Sequence, residues 1–240
     1  MLIKNKKYTY FEVGEGKPII VLHGLMGGLS NFDGVANYFP EKGYKVIIPE
    51  LPLYTQNILK TNVKAFSKYV KDFMIHMGID KAILLGNSLG GHIALYFAKS
   101  YPELVKGIVI TGSSGLYESG MGESYPKRGD YEYIKKKAED VFYDPNVATK
   151  EMVDEVFATV NDRMKLLKTL TIAKSAIRHN MAADLPKMHV QNEQSYEHLV
   201  SVQQHLDWSC LVVLRLLMQR LIFQDTRRPT ESNTLQKVRV

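Results

Sequence analysis

The sequence has 240 residues, of which 45% are hydrophobic and 23% are charged, and its formal net charge is +6. A chain of this length and composition can bury a substantial core, and no basic cluster is interleaved with aromatic residues, so we expect neither a disordered protein nor a nucleic-acid partner. The only cysteine, Cys210, excludes an internal disulfide and fits a reducing compartment.

The first residues lack the apolar segment of a signal peptide, and no stretch reaches transmembrane length. We therefore expect a cytoplasmic protein without a membrane span. From residue 8 to about residue 115, short apolar runs alternate with helical patterns. Strands are predicted over residues 8–13, 18–22, 44–48, 81–85 and 104–110, and helices over residues 30–39, 61–77 and 92–98.

The predicted strands from residue 18 onward are apolar almost throughout, which is typical of a parallel sheet buried on both faces. The alternation of strands and helices predicts an α/β fold, in which a mostly parallel sheet is covered by helices on both faces. We assign this core to residues 1–115.

Residues 116–185 show a different pattern, with helices predicted near 130–142, 149–160 and 161–180 and no evident strand. Thr149 and Asn161 are the predicted N-caps of the second and third of these helices. Open α/β sheets place their sites at the carboxyl ends of the strands. We therefore predict that residues 116–185 form a helical lid over that edge.

The segment Gly86-Asn87-Ser88-Leu89-Gly90 joins an apolar strand to an apolar helix. Glycines two residues before and two residues after a serine are what a sharp strand-to-helix turn requires, since side chains there would collide with the neighbouring element. Such a turn presents Ser88 Oγ at the carboxyl end of the sheet, above a helix N-terminus. The alternative is that Ser88 is a turn serine without a catalytic partner.

A second glycine-containing loop, His23-Gly24-Leu25-Met26-Gly27, follows the strand over residues 18–22. These two motifs, followed by a helical insert, resemble the α/β-hydrolase family, and the insert resembles the lids of its esterase and carbon–carbon hydrolase members. The resemblance implies that Ser88 is the nucleophile and that the N–H groups of Leu25 and Leu89 form the oxyanion hole. A serine at this position, where an aspartate would serve dehalogenases and epoxide hydrolases, argues against their chemistry.

The remaining residues of the two motifs are expected to shape the site. They are His23, Gly24, Gly86 and Gly90. His92, one helical turn after Ser88, is expected to be a packed or hydrogen-bonded residue of its helix, with a role as a base as the alternative. No spacing of metal ligands is evident, and we expect no cofactor.

The resemblance implies that an aspartate and a histidine follow Ser88 in loops after the last strands. No apolar strand is evident after residue 190, and no loop carries a recognisable acid or base. From the end of the insert onward the candidate bases are His179, His189, His198 and His205. The sequence therefore assigns no triad.

Residue usage changes abruptly near residue 191. All 17 glycines lie at or before Gly129, and of the lysines only Lys237 lies after residue 190, where five arginines occur. We interpret residues 186–240 as an atypical C-terminal segment that, from about residue 191, does not match the family's ending, through a frameshift or a fusion. A divergent terminus is the alternative.

These features together predict a serine hydrolase that acts on an ester or a related acyl substrate, a small molecule, through an acyl-enzyme on Ser88. The alternatives are a hydrolase-like protein that binds a small molecule without catalysis, and an inactive product that lacks the acid and base of the triad. The sequence alone does not indicate the substrate or an oligomeric state.

Overall fold

The structure, a computed structural model, describes residues 1–25, 32–116, 127–140, 145–185, 188 and 199–202. Within these residues one sheet contains strands β1 (Leu2–Lys4), β2 (Thr9–Val13), β3 (Lys17–Leu22), β4 (Tyr44–Pro49), β5 (Ala82–Asn87), β6 (Val105–Thr111) and β7 (Leu199–Val202). The α-helices are α1 (Asp33–Tyr38), α2 (Val63–His76), α3 (Leu89–Ser100), α4 (Tyr131–Glu139), α5 (Lys150–Asn161) and α6 (Arg163–Arg178).

The strands follow one another across the sheet in the order β1-β2-β4-β3-β5-β6-β7. The pairs β1–β2 and β2–β4 are antiparallel, and the pairs from β4 to β7 are parallel. The predicted α/β fold with a mostly parallel sheet is therefore confirmed. Strand β5, which leads to Ser88, lies inside the parallel part, between β3 and β6.

Alternate residues of the central strands are buried on opposite faces of the sheet. Ile20 and Leu84 pack with the apolar faces of α2 and α3, whereas Ile19 and Leu85 pack with α1. A strand whose two faces both meet helices needs apolar residues at every position, because its side chains alternate between the faces. This requirement explains the continuous apolar runs of β3 and β5.

The helices of the insert begin close to the predicted positions, with one correction at a cap. The Thr149 side chain accepts a hydrogen bond from the Met152 N–H at the start of α5, as predicted. At the start of α6 the cap is Asp162, whose carboxylate accepts from two backbone N–H groups, and not Asn161. The Asn161 side chain instead donates to the carbonyl of Phe157 in the preceding helix.

The expectation that no strand follows residue 190 is wrong for residues 199–202. Strand β7 pairs in parallel with β6, so that Val202 lies level with Thr111. Thr111 in turn lies level with Asn87 on β5. The chain therefore leaves β7 at the same edge of the sheet as Ser88. Of the atypical C-terminal segment, residues 186, 187, 189–198 and 203–240 lie outside the described residues.

Candidate active site

Ser88 occupies a strained backbone position between β5 and α3. Its φ is 53° and its ψ is −116°, and among the described residues it is the only non-glycine residue with a positive φ. A non-glycine residue adopts such a conformation only where the surrounding structure enforces it, and these positions cluster at functional sites. The conformation is the one that the two flanking glycines predict.

Gly86 and Gly90 leave no room for a side chain. A Cβ on Gly86 would overlap the carbonyl of Gly90, and a Cβ on Gly90 would overlap the carbonyl oxygen of Leu22 on β3. Both obstacles are backbone atoms, which cannot rotate away. Because the turn is this tight, α3 begins directly beneath Ser88.

Hydrogen bonds to the loop after β6 hold the turn in place. The Ser88 N–H donates to the Thr111 carbonyl at 3.0 Å, and the Ser88 carbonyl accepts from the N–H groups of His92 and Ser114, each at 3.2 Å. The Asn87 amide donates to the carbonyl and the Oγ1 of Thr111, at 3.2 and 3.0 Å. Neither Asn87 nor Thr111 was among the residues predicted to shape the site. A polar residue at the end of an otherwise apolar strand was the available signal for Asn87.

The two N–H groups implied by the resemblance belong to residues on either side of this turn. Leu89 is the first residue of α3. The first hydrogen bond of this helix runs from the His92 N–H to the Ser88 carbonyl, so the Leu89 N–H, which lies before it, has no acceptor within the helix. The loop after β3 passes close to Ser88, since a Cβ on Gly24 would lie 3.3 Å from the Ser88 Cβ. Leu25 follows directly. Of this loop, Met26 and Gly27 lie outside the described residues.

His23 is buried and uses both ring nitrogens to hold backbone groups. Its Nδ1 lies 2.9 Å from the Gly24 carbonyl, and its Nε2 lies 3.0 Å from the Leu51 N–H. A carbonyl only accepts and a backbone N–H only donates, so the ring is neutral and carries its proton on Nδ1. Burial lowers the pKa of His23, which favours this neutral form. Neither nitrogen is available to take a proton from Ser88.

His92 is also buried, and the hydrogen bonds of its ring go to residues other than Ser88. The ring Nε2 lies 2.9 Å from His179 Nδ1, and Nδ1 lies 3.5 Å from Ser114 Oγ. Burial, followed by the nearby His179, lowers the pKa of His92 to about 4. These contacts match the expectation that His92 forms hydrogen bonds within the fold, and they leave its ring without a contact to the serine.

No base for Ser88 is found within the described part of the chain. The histidine rings placed there form hydrogen bonds with Asn5, Gly24, Leu51, Ser114 or one another, and no hydrogen bond joins any of them to Ser88 Oγ. The candidate bases His189, His198 and His205 lie outside the described residues. Across the described ranges, no group of three His, Cys, Asp or Glu side chains could hold a metal ion, and no helix is long and apolar enough to cross a bilayer.

Comparison with known proteins identifies the family. Residues 17–141 match the family of the alpha/beta hydrolase fold. The chain is 30% identical over 193 residues to a 2-hydroxy-6-oxononadienedioate/2-hydroxy-6-oxononatrienedioate hydrolase of Comamonas testosteroni, which covers 73% of this chain and 67% of that protein. It is 28% identical to a 2-hydroxy-6-oxo-6-phenylhexa-2,4-dienoate hydrolase of Burkholderia cepacia, and this match also covers 73% of this chain and 67% of that protein.

Solved structures agree with this assignment. An alpha/beta hydrolase enzyme from the metagenome of sediments of the lagoon of Mar Chica, Morocco, is 43% identical, with a TM-score of 0.71 over 94% of this chain and 99% of that one. An epoxide hydrolase, 18% identical, shares the fold with a TM-score of 0.68 over 95% of this chain and 99% of that one. The chain spans about two thirds of the length of the curated relatives it matches. The chain belongs to the alpha/beta hydrolase fold family.

Proposed function

We propose that this member of the family is a serine hydrolase that cleaves an ester or a related acyl substrate through an acyl-enzyme on Ser88. The observation that carries the proposal is the backbone of Ser88, which has a φ of 53° and is held between two glycines that cannot accept a Cβ. Strain of this kind exposes a serine oxygen above a helix N-terminus, where a nucleophile is useful. A turn serine without a catalytic role would not require it.

In the proposed mechanism, Ser88 Oγ attacks the acyl carbon of the substrate and gives up its proton to a histidine base. The carbonyl oxygen gains negative charge, which the N–H groups of Leu25 and Leu89 stabilise. The leaving group departs with the proton from the histidine, and the acyl group remains bonded to Ser88 Oγ. Water then adds to the acyl carbon by the same steps, which releases a carboxylic acid and restores the serine.

The base is the open part of this mechanism, and the end of β7 indicates where to search for it. Val202 lies level with Thr111, at the edge of the sheet where Ser88 is found. His205 is the first histidine after β7 in the chain, so we propose it as the first candidate to test. Separate glutamine variants of His189, His198 and His205 test each remaining candidate, and we expect the variant that removes the base to lose turnover.

The direct test of the proposal is hydrolysis of short-chain p-nitrophenyl esters. We expect Ser88→Ala to lower kcat/KM by about a thousand-fold or more, because removing the nucleophile leaves only residual catalysis. Ser113→Ala is a matched control, since Ser113 lies in the adjacent loop and its Oγ donates only to a backbone carbonyl, that of Ser114. Equal turnover by wild type and Ser88→Ala would contradict the proposal.

Carbon–carbon hydrolysis is a second candidate, favoured by the names of the sequence relatives. A 2-hydroxy-6-oxo-6-phenylhexa-2,4-dienoate contains a ketone and no ester, so its hydrolysis breaks a bond between the acyl carbon and the neighbouring carbon. The hydroxyl of water goes to the acyl carbon and a proton goes to the departing carbon. Loss of the absorbance of the conjugated dienoate, dependent on Ser88, would support this activity over simple ester cleavage.

We propose that the helical insert takes part in substrate selection. Residues 116–185 are proposed to act as a lid, because α6 contacts Tyr54 and Tyr54 contacts Leu25 of the loop beside Ser88.

Two experimental results would distinguish the alternatives from an active enzyme. A soluble, folded protein that binds small acyl compounds but shows no Ser88-dependent turnover would be a binding protein. A protein that neither binds such compounds nor turns them over would be an inactive product.

A further inference from the structure

Tyr54 lies between the helical insert and the loop that carries Leu25. Its hydroxyl is 3.3 Å from the Leu25 carbonyl and 3.4 Å from Thr169 Oγ1 on α6. A carbonyl only accepts, so the tyrosine hydroxyl donates its single proton to Leu25. Its oxygen then accepts from the Thr169 hydroxyl, which is buried. One side chain therefore joins the insert to the loop.

The contact with α6 involves one face of that helix. Lys165 Nζ lies 5.8 Å from the centre of the Tyr54 ring, and Lys168 Nζ donates to the Tyr54 carbonyl at 2.6 Å. Together with Thr169, these residues are spaced i, i+3 and i+4, which places them side by side on a helix. The ring, the backbone and the hydroxyl of Tyr54 are thus each contacted by a different residue of the same helical face.

The contact with Leu25 complements the one made by His23. The Gly24 carbonyl, which accepts from His23 Nδ1, belongs to the same planar peptide group as the Leu25 N–H. The Leu25 carbonyl, which accepts from Tyr54, belongs to the next peptide group. Since each peptide group is rigid, holding one on each side of the Leu25 Cα restricts both of its backbone rotations. The direction of the Leu25 N–H follows from these two restraints.

We propose that Tyr54 is a positioning residue, which holds the Leu25 N–H in its direction for the oxyanion while α6 is seated against Tyr54. This inference rests on the proposed function, in which Ser88 is acylated and the Leu25 N–H stabilises the intermediate. Tyr54 itself touches no reacting atom. It transmits the position of α6 to a group that does.

The test is the variant Tyr54→Phe, which keeps the ring against Lys165 and the backbone carbonyl bonded to Lys168. We expect kcat for a p-nitrophenyl ester to fall by about ten-fold, less than the loss of a whole oxyanion donor, with KM within about two-fold of wild type. An oxyanion donor acts mainly in the transition state, so its misplacement changes kcat and not substrate binding. Thr169→Val, which removes the hydroxyl on α6, should lower kcat in the same direction.

Tyr69→Phe is the matched control. The Tyr69 hydroxyl also donates to a backbone carbonyl, that of Glu50, at 3.0 Å, but it does not touch Leu25. This variant loses an equivalent hydrogen bond and should leave kcat unchanged. If both phenylalanine variants lower kcat equally, the effect is general loss of structure and the inference is overturned.

Hydrogen–deuterium exchange of the Gly24 and Leu25 amides, resolved with overlapping peptides, separates this inference from the proposed function. We expect these two amides to exchange faster in Tyr54→Phe than in wild type or Tyr69→Phe, whether or not the protein turns over esters. Unchanged exchange in Tyr54→Phe would overturn the inference. If the amides exchange faster in Tyr54→Phe but the wild-type protein shows no Ser88-dependent turnover, the loop contact is supported and the proposed function fails.

Discussion

The rings of His92 and His179 meet edge to edge, with His92 Nε2 2.9 Å from His179 Nδ1 and an angle of 16° between the ring planes. Their centres are 5.2 Å apart, which fits a hydrogen bond in the plane of the rings better than face-to-face stacking. His92 belongs to α3, one turn after Ser88, and His179 caps the end of α6. The pair therefore connects the end of the insert to the helix beneath the candidate nucleophile.

The surroundings of this pair favour uncharged rings. Gly115, at a φ of +82°, packs so close to the His92 ring that a Cβ would overlap it, and Tyr96 meets His179 edge-on at 5.0 Å. Burial is the largest cause of the lowered pKa of both histidines. For His179, Lys99 lowers the pKa further and Asp184 opposes this change.

Stability should therefore fall as the pH drops from about 6.5 to about 4. In this range an unfolded His92 binds a proton and the folded one, with a pKa of about 4, does not, so acid favours the unfolded chain. The loss attributable to His92 is about 3 kcal/mol at most, and His23 and His179 act in the same direction. Urea unfolding measured between pH 7.5 and pH 4 tests this prediction.

The matched variants for this measurement are His92→Gln and His76→Gln. His76 is an exposed residue at the end of α2, outside the pair. We expect His92→Gln to flatten the dependence of unfolding free energy on pH and His76→Gln to preserve it. A steep dependence retained in His92→Gln would show that other groups cause the acid sensitivity.

Replacing His179 should cost more stability than breaking the ion pair beside it. His179→Ala leaves His92 Nε2 buried without its partner, which costs about 1–3 kcal/mol. Asp184→Asn breaks the pair with Lys99 at 2.9 Å, whose side chains are 22% and 44% exposed, and should cost less than about 1 kcal/mol. Thermal and urea unfolding of the two variants compare these costs, and equal losses would contradict the importance assigned to the histidine pair.

Gly90→Ala should be strongly destabilising although Gly90 lies in a helix. Alanine in an open helical position stabilises by up to about 1 kcal/mol relative to glycine. At Gly90 the new Cβ would overlap the Leu22 carbonyl, so we expect a loss of about 3 kcal/mol or more and little soluble protein. Gly129→Ala, where a Cβ meets nothing within 4 Å, is the control and should be close to neutral. Similar stability of both variants would mean that the turn is looser than described.

The parts of this fold that were predictable from sequence are those determined by local patterns. The strained turn at Ser88 follows from two nearby glycines, and the buried strands β3 and β5 follow from continuous apolar runs. Both signals lie within about ten residues, so no distant contact has to be known. The position of Ser88 was therefore foreseeable, whereas its role as nucleophile remains a proposal.

The features that sequence analysis missed depend on contacts between distant residues. Strand β7 has only four residues, Leu-Val-Ser-Val, and its structure depends on pairing with β6, about ninety positions earlier. His179 meets His92 across 87 positions, through an insert whose path no local pattern determines. The same holds for Tyr54, which contacts Thr169 across 115 positions. A short range of the sequence carries no information on such partners.

The central claim is that Ser88 is a nucleophile, and covalent labelling with a fluorophosphonate tests it most directly. Such a probe reacts with a serine whose oxygen has been activated by a base, and it leaves a stable adduct. We expect intact-mass spectrometry to show one adduct, peptide mapping to assign it to Ser88, and Ser88→Ala to remain unlabelled while Ser113→Ala is labelled like wild type. A folded, soluble wild-type protein that acquires no adduct, or one that is labelled at a different residue, would contradict the account.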